Sequence, residues 1–144
     1  MDIAIDFDGT CVTHEFPRIG KDIGAVPVLL NLVKSGHRLI LNTMRSNRAK
    51  KGDTGDPDIQ DVTGDFLDEA VNWFKEKGIP LYGINENPTQ KEWTSSPKVY
   101  AQLYIDDAAF GVPLIFDKKI SDRPFVDWKA IEMGLIVAGY IDLF

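Results

Sequence analysis

Two aspartates one residue apart, Asp6 and Asp8, end the apolar run Ile3-Ala4-Ile5 and are followed at once by Gly9-Thr10. In a strand that spacing puts both carboxylates on one face. Two carboxylates at the carboxyl end of a buried strand repel each other and are costly to desolvate. A divalent cation relieves both effects, and Gly9 allows a sharp turn that brings backbone amides close to a ligand. The residue types make Asp6-Phe7-Asp8-Gly9-Thr10 a candidate site for a hard metal and an oxyanion. The alternative is a strand that simply runs into an acidic turn, since Asp-Gly pairs are common turn formers.

The chain alternates strand-like and helix-like segments. Ile3 to Phe7 reads as a strand buried on both faces, and Cys11 to Lys21 as an irregular stretch broken by Pro17 and Gly20. Residues 22–35 suit a helix capped by Asp22, with Val26, Leu29, Leu30 and Val33 inward and Gly36 as its stop. Pro27 pushes the start of that helix towards Val26. Arg38 to Thr43 reads as a second strand, and residues 44–60 as a long polar loop with a turn at Asp56-Pro57. Residues 63–77 give the clearest helix, capped by Thr63, with Phe66, Leu67, Ala70, Val71 and Phe74 at helical spacing before Gly78. Leu81 to Ile84 is a short third strand, followed by a loop to Pro97 that carries Trp93. Gln102 to Ile105 is a fourth strand ending in Asp106-Asp107, and Leu114 to Phe116 a fifth. Asp122-Arg123-Pro124 opens a final helix with Trp128, Ile131 and Leu135 inward.

This order predicts an α/β fold: a Rossmannoid three-layer sandwich, with a mainly parallel sheet and helices on both faces. Ligands then bind beyond the carboxyl ends of the strands. Asp6 and Asp8, Thr43, and Asp106 with Asp107 all converge on that rim.

Composition bounds the function. A chain of 144 residues fits one domain with a real core. The net charge of −6 argues against general binding to nucleic acid or anionic membrane. Cys11 is the single cysteine, which excludes an internal disulfide and a metal-thiolate cluster. The apolar start lacks the charge and length of a signal peptide, and no stretch suffices to cross a bilayer, so a cytoplasmic setting is the default expectation.

The joint pattern resembles the haloacid dehalogenase superfamily of phosphohydrolases, whose four motifs stand on the strand ends of a Rossmannoid sheet. Asp6-Phe7-Asp8-Gly9-Thr10 matches the first motif, D-x-D-x-T, and Thr43 the second. Lys98 is the best match to the third, with Lys91 further from the strand, and Asp106-Asp107 matches the fourth. The match covers residues 1–107 of a single domain spanning 1–144, and residues 112–144 add a strand, a helix and an apolar tail. Cys11 departs from the aliphatic residue usual after the motif threonine. Taken singly, Thr43 reads as an ordinary strand-end threonine and Lys98 as a solvated lysine.

The resemblance implies a Mg²⁺-dependent phosphatase working through an aspartyl-phosphate. Asp6 would be the nucleophile, and Asp8 the general acid and then base. Mg²⁺ would be held by Asp6, the main-chain carbonyl of Asp8, and Asp106, with Asp107 acting directly or through water. Gly9 and Thr10 would line the phosphate, with Thr43 and Lys98 stabilising its oxygens. Neither insertion point is long enough for a cap domain, so the resemblance is to the capless class. The expected substrate is a phosphorylated small molecule, or a nucleotide or oligonucleotide end.

That last reading leans on the basic patch Arg45, Arg48, Lys50 and Lys51, and on Thr43-x-Arg45, which is similar to phage-type polynucleotide kinase/phosphatases. Ala108 stands where a basic residue often follows the acidic pair. Phe16 and Trp93 are candidate stacking residues, and His14 a residue within reach of the site mouth. Other readings are a non-catalytic phosphate-binding or regulatory domain, and a phosphotransferase. The apolar run from Leu135 to Phe144 must cover its own sheet or meet a second copy, which leaves a homo-oligomer open.

Overall fold

The computed structural model describes residues 1–142. In chain order its elements are β1 (Asp2–Ile5), α1 (Ala25–Lys34), β2 (Arg38–Leu41), β3 (Asn47–Arg48), β4 (Gly64–Asp65), α2 (Phe66–Glu76), β5 (Gly83–Ile84), β6 (Leu103–Ile105), β7 (Leu114–Ile115), β8 (Phe125–Val126) and α3 (Trp128–Val137). The main sheet runs β5-β2-β1-β6, with every pair parallel. Ile5 faces Leu41 on one side and Ile105 on the other, so the uninterrupted apolar run of β1 occupies the centre, as burial on both faces requires. The chain moves outward from β1 through β2 to β5 and then crosses back to set β6 on the far side of β1. That reversal opens a crevice beyond the carboxyl ends of β1 and β6.

The α/β class and the parallel sheet agree with the expectation, but the three-layer arrangement does not. One core cluster joins Ile3, Ile5, Leu39, Leu41 and Ile105 to residues of all three helices, among them Leu29, Leu32, Phe74, Trp128 and Leu135. The opposite face, Ala4 and Ile40, is covered by Val99, Tyr82 and Ala101. The connection over this face holds only a 3-10 turn at Gln90–Glu92. Polar side chains fasten it instead of a helix. Fully buried Asn87 donates through Nδ2 to Asp2 at 2.8 Å and to the Tyr100 carbonyl at 3.2 Å. Gln90 accepts from the Asn87 and Tyr100 amides and donates to the Ser96 and Lys98 carbonyls. Arg38 closes the network with a 2.7 Å ion pair to Asp2.

Several element details also differ. Helix α1 turns Ala25, Val28, Leu29 and Leu32 inward and leaves Leu30 exposed, so its buried face lies one residue from the expected one. Pro27 is tolerated as the third helical residue, where its missing N–H has no partner to lose. Helix α2 begins at Phe66, and Asn47, rather than Thr63, satisfies its first turn: Asn47 Oδ1 accepts from the Asp68 amide at 3.2 Å. β7 does not join the main sheet but pairs antiparallel with β8. The last helix starts at Trp128 rather than near Asp122, because Phe125 and Val126 are taken into β8 and Asp127 caps the Lys129 and Ala130 amides. Ile141, beyond α3, is buried in the main core. The tail residues Leu143 and Phe144 lie outside the described residues. Among the described residues no helix is long and apolar enough to cross a membrane.

Candidate functional site

Asp6 follows β1 directly, and its amide donates to the Ile105 carbonyl at 3.0 Å, which draws the end of β1 against the end of β6. Asp106 and Asp107 follow β6. One carboxylate oxygen from each of Asp6, Asp106 and Asp107 lies within 4.8 Å of the other two. Gly9 makes this approach possible. Its φ is +83°, and a Cβ there would collide with the Asp107 carboxylate. Thr10, fully buried, accepts from the Asp107 amide at 2.9 Å and donates to Asp6 Oδ2 at 2.7 Å. It thus couples the two strand ends through one hydroxyl.

Crowding raises the proton affinity of Asp6 and of Asp106. Burial is the largest cause at Asp6. Hydrogen bonding with Asp107 and the charges of Asp106 and Asp107 add to it, against the Thr10 hydrogen bond, and its pKa is pushed up to about 8. Asp106 is raised by burial and by its neighbour Asp107, against a hydrogen bond from the Ala108 amide. Three hard oxygen donors held this close, with a charge that burial disfavours, fit a small divalent cation. Asp8 is not part of the carboxylate cluster.

Asp8 has a different partner. Arg45 grips it in a fork, with Nε to Oδ2 and Nη2 to Oδ1 both at 2.8 Å. The remaining Arg45 donors reach the carbonyls of Arg18, Pro17 and Phe66, so all five N–H groups are engaged. The rings of Phe7 and Phe16 each lie 5.1 Å from the guanidinium carbon. The Arg45 side chain is only 1% exposed. The expectation of Arg45 as a substrate-binding cation of a basic patch is therefore corrected: it is an internal clamp on three segments, at Asp8, Pro17–Arg18 and Phe66.

The other expected residues divide between inside and outside. A cavity of about 620 Å³ is lined by Asp6, Asp8, Thr43, Arg45, Arg48, Asp106 and Asp107, with Phe16, Ile59, Val62 and Phe66 as an apolar wall. Thr43 is held there by Asn85, which adopts a positive φ of 55° and accepts from the Thr43 amide at 2.8 Å. Nothing in the local pattern marked Asn85; its role depends on β5 lying beside β2. Arg48 pairs with Asp61 at 3.1 Å. Lys98 does not line the cavity: its Nζ sits 5.5 Å from the centre of the Tyr104 ring. Among the described residues it makes no ion pair with any of the four aspartates. Lys91 pairs with Glu86. Trp93 packs edge-on against Tyr100, away from the cavity. His14 and Arg123 line the mouth, and nothing in the sequence context of Arg123 points there.

A second, smaller groove of about 480 Å³ between β6 and α3 carries no carboxylate, histidine or cation. The chain is similar to a solved structure of a conserved protein from Bacteroides thetaiotaomicron, at 32% identity over 99% of this chain and 93% of that one, with a TM-score of 0.68. No protein-family model and no curated protein matches it.

Proposed function

We propose that this chain, which belongs to the same family as the conserved Bacteroides protein, is a Mg²⁺-dependent phosphohydrolase of the haloacid dehalogenase type, acting on phosphate monoesters. The observation that carries this reading is the meeting of Asp6, Asp106 and Asp107 within 4.8 Å at the sheet's crossover point. The cluster contains no His or Cys, and its oxygen donors suit Mg²⁺ rather than zinc. These three residues would hold the ion, which would screen their mutual repulsion and draw charge from the phosphoryl oxygens.

The chain's own groups supply the rest. Thr10 fixes Asp6 through Oδ2. An Asp6 oxygen attacks phosphorus; the new P–O bond forms as the ester P–O bond breaks, and the electron pair leaves with the ester oxygen. Water then attacks phosphorus and releases Asp6. Asp8 is the neighbouring carboxylate that would give the leaving oxygen its proton and take one from that water. Both Asp8 oxygens accept from Arg45, so in this geometry a proton would pass through a lone pair that the fork leaves free.

The same fork favours a second reading, a domain that binds phosphate without turnover. As to substrate, the nucleotide-end reading loses Arg45, on which it leaned. What remains for a leaving group is the apolar wall of Phe16, Ile59, Val62 and Phe66. The deciding experiment is hydrolysis of an aryl phosphate with Mg²⁺, after EDTA, and after Mg²⁺ is restored. Activity should vanish with EDTA and return with the ion. Equal rates in metal-free buffer would exclude the mechanism, and phosphate binding without hydrolysis of any ester would select the second reading.

A further inference from the structure

A phosphate dianion brought among carboxylates needs positive groups besides a bound divalent ion. Three arginines line the cavity: Arg45, Arg48 and Arg123. Arg45 has every N–H engaged inside the protein. Arg48 pairs with Asp61 and also donates to the Lys50 carbonyl. Arg123 is exposed and, among the described residues, makes no ion pair.

Its neighbour is His14. Arg123 Nη1 lies 3.3 Å from Nδ1 and 3.2 Å from Nε2 of that ring. An atom this close to both nitrogens cannot lie in the imidazole plane without running into ring carbon, so an Nη1 N–H points down at the ring face. That contact uses only Nη1, and among the described residues the Nε and Nη2 donors make no hydrogen bond, which leaves them for a ligand. The backbone of Arg123 is also fixed relative to the acids. Pro124 and β8 follow it, and the Val126 amide donates to the Gly9 carbonyl at 3.0 Å, on the loop that joins Asp8 to Thr10.

We propose that Arg123, set over the His14 ring, is the residue of this chain that binds the oxygens of the substrate phosphate, in the place expected of Lys98. The proposal rests on the phosphate-ester reading above for the identity of the anion. It is tested by titrating inorganic phosphate into the full-length, Mg²⁺-loaded protein by calorimetry. Arg123→Ala should weaken phosphate binding at least tenfold, and Arg123→Lys by less. The melting temperature should hold within about 2 °C, because an exposed side chain is removed. His14→Ala should weaken binding by less than Arg123→Ala. The proposal is overturned if Arg123→Ala binds phosphate within twofold of the wild type. A larger loss in Lys98→Ala, or no phosphate binding by the wild type, overturns it as well. Aryl phosphate hydrolysis by the wild type separates this outcome from the enzymatic reading. Arg123-dependent binding without hydrolysis removes only the phosphatase. Hydrolysis with phosphate binding indifferent to Arg123 removes only this assignment.

Discussion

Asp6 is under the strongest electrostatic stress in the site, and two outcomes follow from it. As the attacking group it has no substitute, so Asp6→Asn should lower aryl phosphate turnover more than a hundredfold, about 2.7 kcal/mol of barrier. Stability should respond in the opposite direction. The folded-state pKa of Asp6 is about 8, above the ordinary carboxyl value of 3.8, so the metal-free fold prefers the protonated acid. That contribution is fully present below pH 4 and is lost as pH rises through the window from about 4 to 8. The metal-free protein should therefore melt at a lower temperature at pH 8 than at pH 5. Asp6→Asn or added Mg²⁺ should flatten that difference in a thermal scan. A metal-free melting temperature that rose with pH over this window would contradict the crowding of these acids. The convergence of Asp6 with Asp106 and Asp107 is legible in the sequence, because each stands directly after an apolar strand. The cations are not. Whether Arg45 is solvated depends on Phe7, Phe16 and three carbonyls from distant segments. Arg123 reaches the mouth only because β8 pairs with β7 and returns to Gly9.

The strands are legible for a simple reason: a short apolar run ending in acids or threonine suits a buried strand that emerges at a polar rim, and is too short for a helix. Helix faces and layers are harder. Val26, Val28, Leu29 and Leu30 crowd one stretch of α1, and one residue of phase rotates a helix by about 100°. Ala25 and Leu32, against the sheet, settle the phase. The missing third layer turns on Asn87 and Gln90, which read as loop residues but are buried and fully bonded. Asn87→Ala should remove the bond to the Asp2 carboxylate and leave the Tyr100 carbonyl without that donor. A loss of about 2–3 kcal/mol in urea unfolding is expected. Turnover by the folded fraction should stay close to the wild type, since Asn87 lies under the face away from the three helices. A change under about 0.5 kcal/mol, the size of an ordinary surface substitution, would mean that the connection is held by Val99 and its apolar contacts alone.

The last part of the chain closes the molecule twice over. At its start, the Trp128 indole N–H donates to the Thr10 carbonyl at 2.6 Å in a buried contact, beside the bond from Val126 to Gly9. At its end, Tyr140 packs edge-on against His37, and its carbonyl bonds the His37 ring at 2.7 Å; Ile141 is 3% exposed within the main core. The described part of the tail, through Tyr140 and Ile141, therefore covers its own chain, even though Met133 and Val137 on α3 remain exposed. Removing residues 138–144 would strip a buried isoleucine and open the core beneath α1 and α3. Deleting a buried aliphatic side chain costs about 2–5 kcal/mol. That is a large part of the roughly 5–15 kcal/mol that stabilises a typical domain. The truncated chain should express insolubly, or melt at least about 10 °C lower by circular dichroism. Because Trp128 is retained, any soluble fraction should still bind Mg²⁺. A truncated chain that stayed soluble, monomeric and equally stable, while the full chain was a dimer by light scattering, would make the tail an interface between copies.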